Sequence, residues 1–151
     1  MNFLELSIEA LVPHRGPMCW LDRLISADSE QVTVEAQVRP EHPLVQPEGV
    51  PGWAGIEYMA QAIAVWAGVR AMGRGEPIKP GFLLGSRRYR CECEHFWLGQ
   101  RFSVQARCEL FGDNGLGMFS CRIYDQQREW AVANLSVYEP PDPKAYLETT
   151  D

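Results

Sequence analysis

Three polar side chains interrupt an otherwise apolar stretch in the first half of the chain. His42 lies in a Pro-rich loop, and Glu57 and Gln61 lie in the segment GIEYMAQAIAVWAGVRAM that follows. Glu57 and Gln61 are one helical turn apart, so a helix places them on the same face. A carboxyl in an apolar pocket has a raised pKa and can act as a general acid near neutral pH, and histidine is a common general base. The pattern predicts acid–base chemistry, with Glu57 as the acid and His42 as the base.

Simpler interpretations of these residues stay open at this point. Glu57 can also lie at the mouth of the helix, where it reaches water or the positive end of the helix dipole. A histidine in a loop is often structural. His14 and His95 are weaker candidates, because they lie in a turn-like segment and a strand-like segment respectively.

The start of the helix adds a third element. Pro51 and Gly52 come just before the apolar segment. The first N–H groups of a helix have no internal acceptor, and Gly52 has no side chain to keep a ligand away. Together these groups suit removal of a proton next to a carbonyl group, coupled to loss of a β-hydroxyl. The residues predicted to line an acyl tunnel are Trp53, Ile56, Met59, Ala60 and Ile63.

The helix is predicted to lie within a sheet. Strand-like alternation of apolar and polar residues covers residues 31–39, 87–97, 101–110, 116–125 and 130–138. Asn114-Gly115 predicts a hairpin, because both residues tolerate positive φ. The order of elements indicates an α+β fold, a curved antiparallel sheet wrapped around one long central helix. We predict one domain over residues 1–138 and a loose Pro-rich, acidic tail over 139–151.

Composition narrows the class of protein. The net charge of −6 argues against broad attraction to nucleic acid. The N-terminus has no basic region typical of a secretory signal, and Glu57 and Gln61 make the longest apolar run a poor membrane span. Five cysteines without a C-x-x-C pair predict reduced thiols in a cytoplasmic protein. No phosphate loop, nucleophile elbow or H-E-x-x-H motif occurs, so we predict neither a metal nor a cofactor.

Basic residues cluster in one part of this acidic chain. This cluster either forms a solvated edge or serves as a docking patch for an acidic partner. Its members are Arg70, Arg74, Lys79, Arg87, Arg88 and Arg90.

The segment around the helix resembles a known family. His42, Pro51-Gly52, Glu57 and Gln61 match the pattern of the hotdog-fold 3-hydroxyacyl-[acyl-carrier-protein] dehydratases of the FabA/FabZ type. The early segment VPHRGPMCWLDRL also resembles the opening of that family, and the similarity extends over about residues 10–138. The form GVPGWAGIEYMAQA is most similar to the dehydratase-like proteins of aryl-polyene pigment clusters. The loop between His42 and Glu57 is one residue longer than the family pattern.

The resemblance implies specific roles. His42 takes the C2 proton, Glu57 protonates the departing C3 hydroxyl, Gln61 supports the site, and the Gly52 N–H holds the thioester oxygen. The histidine and the acid of one site come from different subunits, which implies a homodimer or a hetero-oligomer with a related hotdog subunit. The substrate arm is phosphopantetheine on an acyl carrier protein, for which the basic cluster is the expected docking patch. His14 matches a non-catalytic histidine.

Two alternatives have different readouts. A hotdog thioesterase uses the helix carboxylate and water, and it releases a free acid rather than an enoyl thioester. A non-catalytic acyl-binding subunit of a synthase complex shows no catalysis when isolated.

Overall fold

A six-stranded antiparallel sheet packs against one long helix in the computed structural model, which describes residues 3–140. In chain order the elements are β1 (Arg23–Ala27), β2 (Gln31–Gln37), β3 (Gly49–Pro51), α1 (Gly55–Gly73), β4 (Phe82–Cys91), β5 (His95–Trp97), β6 (Arg101–Phe111), β7 (Leu116–Tyr124) and β8 (Glu129–Tyr138). The large sheet has the order β1-β2-β6-β7-β8-β4, and β3 and β5 form a separate two-stranded sheet. This architecture confirms the predicted α+β fold.

The core lies between the sheet and α1. On β2 the predicted inward residues Val32, Val34 and Ala36 are fully buried, because period-two alternation directs them all to the helix side. Tyr58 and Met59 of α1 pack into the same core. The helix is apolar nearly all round, as a helix enclosed by a sheet requires.

A short 3-10 turn, Gly52–Ala54, precedes α1, and the helix ends at Gly73 as predicted from the GRGEP segment. The predicted hairpin at Asn114-Gly115 is confirmed. Gly115 adopts φ +87°, and the Gly112 N–H donates to the Leu116 carbonyl to close the turn between β6 and β7.

Two strand predictions were wrong in detail. Residues 87–97 do not form one strand, because the chain bends after Cys91 and its continuation pairs as β5 with β3. The alternation predicted over residues 101–110 puts Leu110 on the inward face with Phe102, but Leu110 is 61% exposed. A register shift between Cys108 and Leu110 reverses the side-chain direction there.

Within residues 3–140, no helix combines the length and the apolar character that crossing a membrane requires. The last strand ends at Tyr138. Residues 141–151, most of the tail predicted to be loose, lie outside the described residues.

Candidate active site

Glu57 lies in the first turn of α1, where its carboxylate meets two polar side chains. Its Oε1 atom accepts a hydrogen bond from Gln61 Nε2 at 3.1 Å. His14 Nε2 lies 3.6 Å from the same oxygen. The Glu57 side chain is 39% exposed, so the carboxylate is open to a ligand on one side.

Gln61 holds this carboxylate from within the core. It is 1% exposed, its Oε1 accepts the Trp20 N–H at 2.9 Å, and its Nε2 donates to the Met18 carbonyl at 2.9 Å. The backbone acceptor takes one of the two amide hydrogens, so the other is directed to Glu57. The segment before β1 therefore fixes the orientation of Gln61, and Gln61 in turn fixes Glu57.

The pKa of Glu57 was expected to be raised by burial, and in this chain it is lowered from 4.5. Desolvation is the largest single influence and raises the pKa, but the contact with His14 at 3.6 Å and the hydrogen bond from Gln61 together lower it more. The prediction that burial raises this pKa identified the largest single influence correctly. The predicted direction of the net shift was wrong, because the sequence did not show that His14 lies beside the carboxylate.

An apolar cleft opens beside this group. Small residues of the helix, Ala60, Ala64 and Ala67, form one wall, and Phe119 and Val137 of the sheet lie opposite. His14 and Glu57 line the same cleft, so the carboxylate faces a space that suits an acyl chain.

The predicted tunnel residues take different positions. Ala60 and Ile63 line the cleft. Met59 is fully buried in the core, Ile56 is half-buried, and Trp53 is 63% exposed on the 3-10 turn. Helical periodicity explains the division, because residues 59 and 60 point about 100° apart and only one of them can face the cleft.

His42 lies apart from Glu57 and lines a different depression. Its ring packs against Trp20 at 4.1 Å and Tyr58 at 5.9 Å between centroids. Nδ1 accepts the Leu44 N–H at 3.0 Å, so the neutral ring carries its proton on Nε2. Nε2 is enclosed and has no partner within the described chain, and burial lowers the pKa of His42. The structure does not bring His42 and Glu57 together within one chain.

Gly52 is held tightly at the mouth of the helix. Its N–H donates to the Glu94 carbonyl at 2.8 Å, and its own carbonyl accepts the Tyr89 hydroxyl hydrogen. A Cβ at this position would lie 2.4 Å from the Cys93 carbonyl oxygen, so only glycine fits. The expected role of this N–H toward a thioester oxygen stays a prediction, and it requires the bond to the Glu94 carbonyl to open.

The predicted basic cluster is distributed over several elements. Arg70 stacks on Phe111 with its guanidinium carbon 4.5 Å from the ring centroid, and Lys79 lines the apolar cleft. Exposed members are Arg74 after α1 and Arg87, Arg88 and Arg90 on β4. Arg88 and Arg90 share a groove on the outer face of the sheet with Arg107 and Arg122, which the sequence analysis did not single out.

His14 lies closer to Glu57 than its sequence context predicts. It was interpreted as structural, yet it is the histidine in contact with Glu57. The available signal was the unusual PHRGP segment, whose two prolines and glycine fix a turn. Its distance from Glu57 along the chain concealed the contact.

A curved antiparallel sheet packed around one long helix, with a carboxylate in the first helical turn beside an apolar cleft, is the architecture of a hotdog-fold protein. The family model described as ApeP-like, ApeP dehydratase, matches residues 6–148. The chain therefore belongs to the ApeP-like dehydratase family and is a dehydratase, as the resemblance implied.

Solved structures agree with this assignment. The dehydratase heterocomplex ApeI:P from Xenorhabdus doucetiae is 28% identical with a TM-score of 0.88, and the match covers 97% of this chain and 98% of that chain. The E. coli PaaI protein from the phenylacetic acid degradation operon is 14% identical with a TM-score of 0.59, covering 77% of this chain and 81% of that one. A hypothetical thioesterase with coenzyme A from Streptococcus pneumoniae is 16% identical with a TM-score of 0.57, covering 77% and 83%.

The last two structures share the fold alone, so they do not favour the thioesterase alternative. A comparison with curated protein sequences finds no match.

Proposed function

We propose that the protein dehydrates a 3-hydroxyacyl thioester on an acyl carrier protein to the trans-2-enoyl thioester, in an aryl-polyene-type pathway. The observation that carries this proposal is the Glu57 carboxylate, held by buried Gln61 at the edge of an apolar cleft. The dehydratase family and the ApeI:P heterocomplex support the reaction class.

The reaction needs one base and one acid. The base removes the C2 proton, and the electron pair of that C–H bond forms the C2–C3 double bond as the C3–O bond breaks. Glu57 in its protonated form gives its proton to the departing oxygen, which leaves as water. His42 is the proposed base, in a site shared between subunits.

A general acid needs a raised pKa, and in the proposed mechanism assembly with a second subunit raises the pKa of Glu57. Desolvation already has the largest single effect on the pKa of Glu57, and more than a third of the side chain is still exposed. A second subunit and an apolar acyl chain that cover this exposed part increase desolvation and raise the pKa. We propose a hetero-oligomer with a related hotdog subunit, because the ApeI:P neighbour is a heterocomplex.

His42 must change its surroundings to serve as a base. Nε2 has to reach the substrate without its proton, which requires loss of the bond from the Leu44 N–H to Nδ1. This observation favours a second candidate, in which the chain supplies Glu57 and the acyl cleft and the partner supplies the base.

Exposed Arg74, Arg87, Arg88 and Arg90 are the proposed contacts for an acidic carrier protein, since the rest of the chain is acidic overall. The five free cysteines fit a reducing compartment, and we propose the cytoplasm as the site of action.

The test is to mix the protein, alone and with a related hotdog subunit from the same source, with 3-hydroxyacyl carrier protein and to record the mass of the carrier. The proposal expects loss of one water with the thioester intact. Release of free acid would instead establish a thioesterase, and no change with any chain length or partner would overturn the dehydratase proposal.

A further inference from the structure

Cys91 and Cys93 bring two sulfur atoms together beside the start of α1. Their Sγ atoms are 3.4 Å apart, and Cys91 Sγ also donates to the Cys93 carbonyl at 3.3 Å. β4 ends at Cys91, and the chain bends at residues 92 and 94. The bend turns the two side chains toward each other. Both residues are half-buried, so a small reagent can reach them.

A metal site does not account for this pair. A structural zinc site needs four ligands. Residues 3–140 contain no group of three or more His, Cys, Asp or Glu side chains placed to hold a metal ion. Two adjacent thiols have another chemistry available, since they can form a disulfide with each other.

Residues 89–94, which include the two cysteines, form hydrogen bonds with both backbone polar groups of Gly52. Tyr89, two residues before Cys91, donates to the Gly52 carbonyl, and the Glu94 carbonyl accepts the Gly52 N–H at 2.8 Å. A Cβ on Gly52 would lie 3.1 Å from Cys91 Sγ, so no free space separates the thiol pair from the helix mouth. A displacement of residues 91–94 therefore reaches the turn that leads into Glu57.

We propose that Cys91 and Cys93 form an oxidisable dithiol site, which closes to an intrachain disulfide and thereby alters the mouth of α1. The oxidant is hydrogen peroxide. One thiol loses its proton, the thiolate attacks a peroxide oxygen and the O–O bond breaks, which gives a sulfenic acid and a hydroxide that takes up that proton to become water. The second thiol then attacks that sulfur, the S–O bond breaks, and a second water leaves. Both sulfurs are oxidised, and the peroxide is reduced to two waters.

Closure changes the geometry next to Gly52. The sulfur–sulfur separation falls from 3.4 Å to about 2.05 Å, and the dihedral requirement of a disulfide rotates both side chains. The Gly52 N–H donates to the carbonyl of Glu94, the residue after Cys93, so this movement displaces the acceptor of that hydrogen bond. Its weakening frees the N–H that Glu94 otherwise occupies.

The test uses the full-length protein with hydrogen peroxide, followed by alkylation of the remaining thiols and digestion with trypsin. Cleavage after Arg90 and Arg101 places both cysteines in peptide 91–101. The expected peptide has lost two hydrogens and carries no alkyl group, and a reductant restores two alkylation sites. Cys93→Ser prevents the change, and Cys91→Ser does so independently. Cys108→Ser, a half-buried thiol on β6, is the matched control and behaves as the wild type.

Hydrogen–deuterium exchange over residues 49–57 tests the link to the helix mouth. Oxidation is expected to accelerate exchange of the Gly52 amide by about two- to tenfold, the factor produced by loss of one ordinary backbone hydrogen bond. Two alkyl groups on peptide 91–101 after oxidation, or oxidation to sulfinic acid alone, would overturn the site. A disulfide with unchanged exchange over residues 49–57 would overturn the coupling. Neither readout depends on turnover, so the proposed function can fail independently.

Discussion

The Glu57 carboxylate is positioned by residues far from it in sequence. One of the two polar neighbours of the carboxylate, Gln61, lies on the same helix. Gln61 itself is fixed by hydrogen bonds with the backbone of Met18 and Trp20. His14 supplies the second contact. The sequence predicted the Glu57–Gln61 face from helical spacing alone. It could not predict the balance of pKa effects, because that balance depends on a tertiary contact with the segment before β1.

Replacement of His14 tests that balance. His14→Ala removes a polar contact with Glu57 that lowers the pKa of its carboxyl, so the pKa is expected to rise. The ionised carboxylate stabilises the fold above its unfolded-state pKa, and this contribution is lost as the pH falls through the lower folded-state value. The variant therefore has a smaller stability difference between neutral and acidic pH. The measurement is a ¹³C NMR titration of the Glu57 carboxyl.

His95→Ala is the matched control, because His95 contacts Gln46 and Glu48 rather than Glu57. An unchanged Glu57 titration in His14→Ala would show that the contact has no electrostatic effect.

Replacement of His42 tests whether this chain or its partner supplies the base. If His42 removes the C2 proton, His42→Phe lowers the dehydration rate by about 10²- to 10⁴-fold, the usual contribution of a general base. Phe keeps an aromatic ring against Trp20 and Tyr58, so folding is retained. Circular dichroism checks the fold. A wild-type rate in the assembled complex would assign the base to the partner.

At the scale of elements, the sequence predicted what depends on local periodicity. The helix, the hairpin and the inward face of β2 all follow from repeats of apolar residues and from Asn114-Gly115. It did not predict the bend after Cys91 or the register shift near Leu110, because these arise from pairing with distant strands. The sequence also did not predict that Ala60 faces the cleft whereas Met59 faces the core, because this depends on the rotation of the helix about its axis against the sheet.

The approach of α1 to the N-terminal segment gives an element-scale prediction. A Cβ on Gly68 would lie 1.9 Å from the Leu11 carbonyl oxygen, a backbone atom that cannot rotate away. Gly68→Ala is expected to destabilise the fold by about 1–3 kcal/mol through overpacking. The measurement is urea-induced unfolding.

Gly73 supplies the control within the same helix. A Cβ there meets nothing within 4 Å, and Gly73→Ala is expected to be neutral or stabilising by up to about 1 kcal/mol. Equal stability of the two variants would refute the close contact at Gly68.

In the molecule as a whole, β4 forms one edge of the large sheet. It is a ten-residue edge strand that pairs only with β8, and its consecutive residues Leu83 and Leu84 are 43% and 53% exposed. The exposed leucines lie in the first half of the strand, before its arginines, and an unpaired edge with exposed apolar residues is a template for pairing with another chain. We therefore expect assembly through this edge, which would place a second subunit beside the cleft that Leu83 lines.

Leu84→Glu tests assembly through this edge. A charge at the strand edge is expected to shift the protein toward monomer in sedimentation velocity, because a buried carboxylate without a partner is costly. Leu110→Glu is the control, since Leu110 is equally apolar and 61% exposed on β6, away from the β4 edge. An unchanged sedimentation coefficient for Leu84→Glu would place the interface elsewhere.

Replacement of Glu57 in the assembled protein tests whether its carboxyl protonates the leaving hydroxyl. The measurement is the single-turnover rate of water loss from 3-hydroxyacyl carrier protein, with wild type, Glu57→Gln and the exposed control Glu48→Gln compared at equal concentration. The expected rate is at least about 10²-fold lower for Glu57→Gln, because the amide cannot deliver a proton, and unchanged for Glu48→Gln. A Glu57→Gln variant that is folded, assembled and as fast as the wild type would show that Glu57 is not the general acid.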